Sequence, residues 1–327
     1  MIVAGDIGGT HARLATFEVQ GEQLVLGEER ISPSHSAPDL ASIVRRFVEE
    51  VQPHATAAAV GLAGPVKDGR SETPNLPWVV EARQLAEILS VPRVTLLNDL
   101  KANAYGLRHL KPENFAVLQA GAPGAVGNQA ILSAGTGLGA AGLYWDGHRH
   151  HPFASEGGHA DFAPRNRLEF ELVEFIGQTT GRVSAERVLS GKGLVNNYNF
   201  FRHRSGSPEP SWLTERFATE DRGKVITQCG LEGKDPVCVA ALDLFVTLYG
   251  AAAGNLGLLM LATGGVFLGG GIAPKIVAKL RDPELFLPAF LNKGRMRGLL
   301  ETMPVRVVLE DRAALWGAAH CAAFDED

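Results

Sequence analysis

The segment Gly5-Asp6-Ile7-Gly8-Gly9-Thr10 sets a carboxylate, three glycines and a hydroxyl directly after an apolar start. Glycines let backbone N–H groups curl around a phosphate without side-chain clash. Thr10 adds a hydroxyl donor. Asp6, at a strand end, can hold a water of hydrated Mg²⁺, an ion that usually keeps several waters. No Lys follows and no helix opens behind the turn, so it is neither a Walker-type loop nor a dinucleotide fingerprint. Ser133-Ala134-Gly135-Thr136-Gly137-Leu138-Gly139 repeats the same chemistry. Two such turns could clamp the ends of a triphosphate, and each alone reads equally well as a hairpin turn. Gly269-Gly270-Gly271, ahead of Ile272-Ala273-Pro274, puts bare backbone at a helix start, able to face a flat base or a ribose. An ordinary strand-to-helix turn has the same composition.

A second set of side chains suits a polyol. Asn98-Asp99 follows the apolar run Val94–Leu97. A carboxylate at the C-terminal end of a strand is where α/β sheets bind ligands; Asn and Asp also favour helix N-caps. Glu156-Gly157-Gly158-His159, with Asp161 beyond, places acceptors and donors beside flexible backbone. His148, His150 and His151 precede it, without the ligand spacing of a zinc motif. The plain alternative is a solvated loop. Glu186 lies in Val183-Ser184-Ala185-Glu186-Arg187-Val188-Leu189-Ser190-Gly191, where Ser184 can cap a short helix that Gly191 ends. Alone, Glu186 reads as a surface carboxylate. Asn75 and Trp78 could supply a polar contact and an aromatic wall, or belong to a proline-rich turn.

The elements that would position these groups follow from periodicity. Met1–Gly5 is an apolar strand, and Arg13–Val19 alternates, with Ala15, Phe17 and Val19 on one face. Gln23–Ile31 can add a third strand, completing an antiparallel meander. Leu40, Ile43, Val44, Phe47, Val48 and Val51 follow helical spacing. A strand over residues 55–62, a helix over 81–89 and a strand over 94–97 complete a βββαβαβα order, an α/β arrangement. Strands are expected at 115–119, 130–133, 140–144, 266–268 and 305–309. The stretch from Arg167 to about Leu261 is mostly helical, and a last helix spans 312–323, able to return to the first domain. A strand entering a glycine turn near residue 6 and again near residue 135 is a coarse internal echo.

The chain has 327 residues, 45% hydrophobic and 20% charged, enough for two globular domains. A formal net charge of −5 argues against general binding to nucleic acid. The 3 cysteines cannot build a disulfide framework, which fits a reducing compartment. No signal peptide is expected at the N-terminus. Residues 244–274 carry no Asp, Glu, Lys or Arg, and a hydropathy window would flag them as membrane-spanning. Their glycines favour another reading. A buried helix capped by Asp235 runs to about Leu261, Gly264-Gly265 ends it, and a short strand and a glycine turn follow.

Taken together, the motifs resemble those of a known superfamily. Asp6–Thr10 looks like the first phosphate motif of the sugar kinase, heat-shock chaperone and actin superfamily, Gly135–Gly137 like its second and Gly269–Gly271 like its adenosine motif. Leu97-Asn98-Asp99, Glu156–Pro164 and Val183–Gly191 narrow the resemblance to the bacterial glucokinase family, over essentially the whole chain. The cysteine cluster of the related zinc-containing group is missing, so the chain is similar to the zinc-free branch. His11 stands where relatives often have Asn.

This resemblance implies an α/β fold of two ribonuclease H-like, actin-like ATPase domains with an interdomain cleft. Residues 1–110 rejoined by 301–327 would form the small domain, and 111–300 the large one. Asp99 resembles the catalytic base. Asn98, Asp99, Glu156, His159 and Glu186 resemble the sugar ligands. Gly5, Asp6, Ile7, Gly8, Gly9, Thr10, Gly135, Thr136, Gly137, Gly269, Gly270 and Gly271 resemble the ATP-binding residues, with Asp6 reaching Mg²⁺ through water. The implied protein is a cytoplasmic homodimer that phosphorylates the glucose 6-hydroxyl with ATP at the entry to glycolysis. A kinase for another hexose is the rival within enzymes. A sugar-sensing regulator would carry an N-terminal helix-turn-helix, for which a phosphate motif at residue 5 leaves no room.

Overall fold

The computed structural model describes residues 1–73 and 76–324. The chain divides into two compact units, one made of Met1–Pro112 with the stretch from Glu310 onward, the other of Glu113–Leu309. The return to the first unit thus begins at 310 and not at 301. Residues 305–308 are the reason, since they pair inside the second unit's sheet.

In the first unit, β1 (Ile2–Ile7), β2 (His11–Gln20) and β3 (Gln23–Pro33) form an antiparallel meander. α1 (Leu40–Val51) leads to β4 (Ala58–Leu62), parallel to β1. The small antiparallel sheet of β5 (Val66–Lys67), β6 (Arg70–Glu72) and β7 (Val79–Glu81) comes next. After it follow α2 (Ala82–Leu89), β8 (Val94–Asn98), parallel to β4, and α3 (Asp99–Gly106). The main sheet runs β3-β2-β1-β4-β8. Its strands alternate with period two, which divides the core. Val3, Ile7, Leu14, Val60 and Leu96 pack with Leu40, Ile43 and Phe47 of α1 and Leu85 of α2. Ile2, Ala4, Phe17, Ala59 and Leu97 turn to the other face, where they meet Ala314, Leu315, Ala318 and Ala319 of the C-terminal helix, Ala313–Phe324. That helix approaches α3 so closely that a Cβ on Gly317 would lie 1.7 Å from the Ala102 carbonyl oxygen.

The second unit contains β9 (Phe115–Gln119), β10 (Gln129–Ala134), β11 (Leu138–Trp145) and β12 (His150–Ser155). The helices α4 (Arg167–Thr180), α5 (Gly191–Ser205), α6 (Ser211–Thr219), α7 (Arg222–Leu231) and α8 (Pro236–Met260) follow. β13 (Gly265–Gly269), α9 (Val277–Leu280), α10 (Phe286–Leu291), α11 (Arg297–Thr302) and β14 (Val305–Val308) complete it. Its sheet runs β12-β11-β10-β13-β14-β9. β10, β11 and β12 are antiparallel neighbours, while β13 pairs parallel with β10 and with β14. Leaving aside β9 at the edge, this repeats the first unit: a three-stranded meander whose first strand continues into two parallel strands. The coarse echo between residues 6 and 135 is therefore a duplication of the whole sheet, in the ribonuclease H-like arrangement that the resemblance implies.

α8 is the core of the second unit. Asp235 caps it through the Cys238 N–H at 2.8 Å, and Pro236 stands in the first turn, where its missing donor costs nothing. The helix is long and apolar enough to cross a membrane by length and composition, but 67% of its most apolar window is buried inside the unit. It ends at Leu261, which takes the left-handed conformation itself (φ 47°), three residues ahead of the expected glycine stop.

Several local expectations change. Residues 150–155 form a paired strand, and neither it nor β5–β7 had a counterpart in the sequence reading. Val19 is exposed, because β2 runs beyond the cover of the C-terminal helix. Trp78 is buried with Leu76 and Val80 in the first unit's core and forms no open aromatic wall. Asn75 lies outside the described residues.

Candidate active site

The first unit brings two of the predicted segments to one end of its sheet. Ile7 is in register with Leu62, and Leu62 with Asn98, so parallel β1, β4 and β8 all deliver their C-terminal ends there. The turn after β1 is tight, with the Gly8 N–H donating to the His11 carbonyl at 2.9 Å. Ser34 pins it from β3's end: its hydroxyl donates to the Gly8 carbonyl at 2.7 Å and its N–H to the Thr10 carbonyl at 2.9 Å. Thr10 and His11 are exposed.

Asp6 is paired across the hairpin with Arg13. Burial pushes the Asp6 carboxyl up to about 6; the Arg13 cation opposes this, and the negative charges of Asp99 and Asp311 add to it. The Arg13 guanidinium is committed elsewhere, to Glu29 at 3.2 Å and Asp311 at 2.8 Å, and its Nη1 is buried with no hydrogen bond. Among the described residues, no three of His, Cys, Asp and Glu stand close enough to bind a metal ion directly. The Asp6 carboxyl and its acidic neighbours are hard oxygen donors of the kind that fit a hydrated Mg²⁺.

Asn98 is the helix cap. Its Oδ1 accepts from the N–H groups of Leu100 at 3.0 Å and Lys101 at 3.4 Å, while its Nδ2 donates to the Gly64 carbonyl at 3.2 Å. Asp99 is the first residue of α3, with Oδ1 accepting from the Leu100 N–H at 2.9 Å. Both readings of this pair thus survive at once. Asn98 caps the helix, and Asp99 sits at a helix N-terminus, where the backbone dipoles favour a negative charge.

The second unit brings the remaining segments together around residues 134–138. Ser133 is in register with Gly269, so the two glycine turns leave the sheet side by side. Gly270 has φ 79°, and a Cβ there would lie 2.4 Å from the Ala134 carbonyl oxygen, to which the Ile272 N–H donates at 3.2 Å. The Leu138 N–H donates to Glu186 Oε2 at 2.9 Å, and the Gly191 N–H to the Gly135 carbonyl at 2.7 Å. Gly158 presses on Leu138 from the other side; a Cβ there would be 1.8 Å from the Leu138 carbonyl oxygen. The Glu156–His159 turn and the Glu186 segment are stitched to each other by the N–H of Ala185 to the Ala160 carbonyl at 2.9 Å and of Phe162 to the Val183 carbonyl at 3.0 Å. Glu156 and His159 stand with their side chains exposed and 3.9 Å apart, open to a ligand.

Glu186 is therefore no ordinary surface carboxylate, since it grips the phosphate-type turn. The capping expectation also moves. Ser184 makes no cap bond, and Ser190 caps α5 through the Gly193 N–H at 3.0 Å, so Gly191 begins a helix instead of ending one. His151 is bound to Asp146 at 2.6 Å and His150 to the Gly127 carbonyl at 3.0 Å, on β12. Arg182 had no sequence signal. It holds the Glu156–Asp161 segment through the His159 carbonyl at 2.9 Å and Asp161 at 2.6 Å. Arg13 had one, because a tight hairpin after β1 makes residues 6 and 13 cross-strand partners.

Comparison with known proteins agrees with this geometry. The Glucokinase family model matches residues 3–324. The chain is 40% identical to the glucokinase of Nostoc sp. over 99% of each chain. It is 37% identical to that of Mesorhizobium japonicum, over 97% of this chain and 90% of the relative. Among solved structures, the glucokinase of an Antarctic psychrotroph superposes with a TM-score of 0.84 at 30% identity, covering 98% of both chains. The glucokinase of Balamuthia mandrillaris, solved with glucose, superposes with a TM-score of 0.77 at 21% identity over 98% of this chain and 93% of its own, a likeness of fold. Whole-length identity at this level, on a duplicated sheet whose turns carry each motif in order, leads to one conclusion: the chain belongs to the glucokinase family.

Proposed function

We propose a residue-level account of the reaction that this membership brings, the phosphorylation of glucose by ATP. Asp99 accepts the proton of the sugar 6-hydroxyl as that oxygen attacks the γ-phosphorus, whose bond to the β–γ bridging oxygen breaks and releases ADP. Asn98, Glu156, His159 and Glu186 hold the other hydroxyls. The turns Gly5–Thr10, Gly135–Gly137 and Gly269–Gly271 receive the nucleotide through backbone donors. Asp6 would hold a water of the Mg²⁺ that ATP carries, an ion that would neutralise phosphate charge. Phosphoryl transfer needs mainly positioning and charge stabilisation, and the protein's part is to supply both. We further assign the enzyme to the cytoplasm, as a homodimer serving glycolysis.

The observation that carries the account is the meeting of four motifs on residues 134–138, two suited to phosphate or nucleotide and two to a polyol. A turn gripped by a carboxylate and flanked by exposed Glu156 and His159 has a use when sugar and phosphate must lie side by side.

Coupled ADP release over a panel of sugars tests the reading. A site built to hydrogen-bond a hydroxyl rejects an analogue lacking it by as much as ~10⁴–10⁵-fold. Glucose is expected to give the highest kcat/KM, mannose and 2-deoxyglucose lower values, and N-acetylmannosamine almost none. An N-acetylated sugar ranking first would overturn the substrate while leaving the kinase.

A further inference from the structure

Glu186 stands at the junction of the two halves of the chemistry in the second unit. Its Oε2 accepts the Leu138 N–H at 2.9 Å, and its Oε1 makes no hydrogen bond among the described residues. Leu138 is the residue at which the Gly135–Gly137 turn re-enters β11. The turn has few other anchors. The Gly135 N–H donates to the Gly137 carbonyl at 2.9 Å within the turn, and the Gly191 N–H donates to the Gly135 carbonyl at 2.7 Å. The Gly191 anchor comes from the same segment as Glu186, since Ser190, which caps the helix beginning at Gly191, donates its hydroxyl to the Glu186 carbonyl at 2.8 Å. Segment and turn are thus one mechanical piece, clamped at both ends of a glycine-rich arc.

We propose that Glu186 couples sugar occupancy to nucleotide binding. One carboxylate oxygen fixes the phosphate turn while the other takes a sugar hydroxyl, so that a bound sugar immobilises the side chain and with it the turn. This rests on the reading of Glu186 as a sugar ligand. Without sugar, the glutamate keeps its rotamer freedom and the Leu138 bond is intermittent. With sugar, both oxygens are held and the glycine arc presents its N–H groups in one arrangement. The ordering cost is then met before the nucleotide arrives, which gives positive cooperativity without a large structural change. By linkage, nucleotide must tighten sugar by the same factor.

Gly137 offers a way to break the link while leaving every sugar ligand's own side chain in place. Its φ lies outside the left-handed region, so alanine fits the backbone. A Cβ there would lie 2.6 Å from Glu186 Oε2, and would displace that oxygen from the Leu138 N–H. The experiment is calorimetric titration of ADP with Mg²⁺, with and without saturating glucose, and the quantity read is the ratio of the two dissociation constants. Direct damage to the turn affects both constants and cancels in the ratio. The wild-type ratio is expected at about fivefold or more. Gly137→Ala is expected to bring it within about twofold of one. Glu186→Ala, at a glucose concentration that saturates it, should do the same and serves if Gly137→Ala does not fold. Glu156→Gln, which removes a sugar ligand with no bond to the turn, should weaken glucose and keep the ratio.

A wild-type ratio of one overturns the coupling. So does a ratio retained in both Gly137→Ala and Glu186→Ala, or one lost equally in Glu156→Gln. Failure of the underlying reading looks different: Glu186→Gln would then leave the glucose dissociation constant unchanged.

Discussion

At neutral pH the Asp6 carboxylate is ionised although burial and the charges of Asp99 and Asp311 all oppose it. Its pKa is about 6 in the folded protein against 3.8 as the ordinary value. The native state therefore binds the proton more tightly, and stability falls as pH rises from about 4 through about 6. Above that window the cost is roughly 2–3 kcal/mol. Asp6→Asn should accordingly make the ligand-free protein more resistant to urea at pH 7.5, with the gain vanishing near pH 4, while activity drops. No gain at pH 7.5 would mean that the neighbours already accommodate the charge. Asp99→Asn tests the other carboxylate. Loss of a general base lowers kcat by about 10²–10⁴-fold, with glucose still binding by calorimetry; turnover near wild type would leave Asp99 a helix-start residue. Both acids were legible in the sequence because each ends an apolar run. The Leu138 N–H and Arg182 were not, since a backbone donor has no side-chain signature and Arg182 sits 21 positions from its Asp161 partner.

At the level of elements, α3 depends on Asn98, whose oxygen satisfies two of the four N–H groups that a helix start leaves open. Asn98→Ala should cost about 0.5–2 kcal/mol in urea unfolding and also lower sugar affinity. Loss of sugar affinity with unchanged stability would deny the capping role. The same helix region holds a partly buried relay. Arg108 donates to His320 Nε2 at 3.2 Å, so His320 must carry its proton on Nδ1 and donate to His109 Nε2 at 3.0 Å. Burial and Arg108 hold the His109 pKa down at about 4, against an ordinary 6.5. The unfolded chain takes up this proton first, so the contribution of His109 is intact above pH 6.5 and is lost as pH falls toward 4. Urea midpoints measured from pH 7 to 4 should fall less steeply in His109→Gln than in the wild type, and identical slopes would refute the relay. Periodicity revealed α1, whose apolar spacing is unambiguous, and the Asp235 cap before an uncharged stretch revealed α8. Periodicity missed β12 and the β5–β7 sheet for a physical reason. Edge strands such as His150–Ser155 are half solvated and carry no apolar run, and two- or three-residue strands are too short to show alternation.

For the whole molecule, the first unit is closed by the C-terminal helix, which covers Ile2, Ala4, Phe17, Ala59 and Leu97. Deleting the chain from Ala313 should leave residues 113–309 resistant to limited proteolysis while residues 1–112 are degraded, since the second unit has its own core. Equal resistance of both would show that the helix is dispensable. The same connectivity sets a timetable. The ribosome must make the entire second unit after residue 112 before it delivers the helix that the first unit needs. At about 5–20 residues per second, that interval is on the order of 10–40 s. Throughout it, one face of the first sheet stays uncovered on the nascent chain, and this face is the surface that a chaperone at the exit tunnel meets.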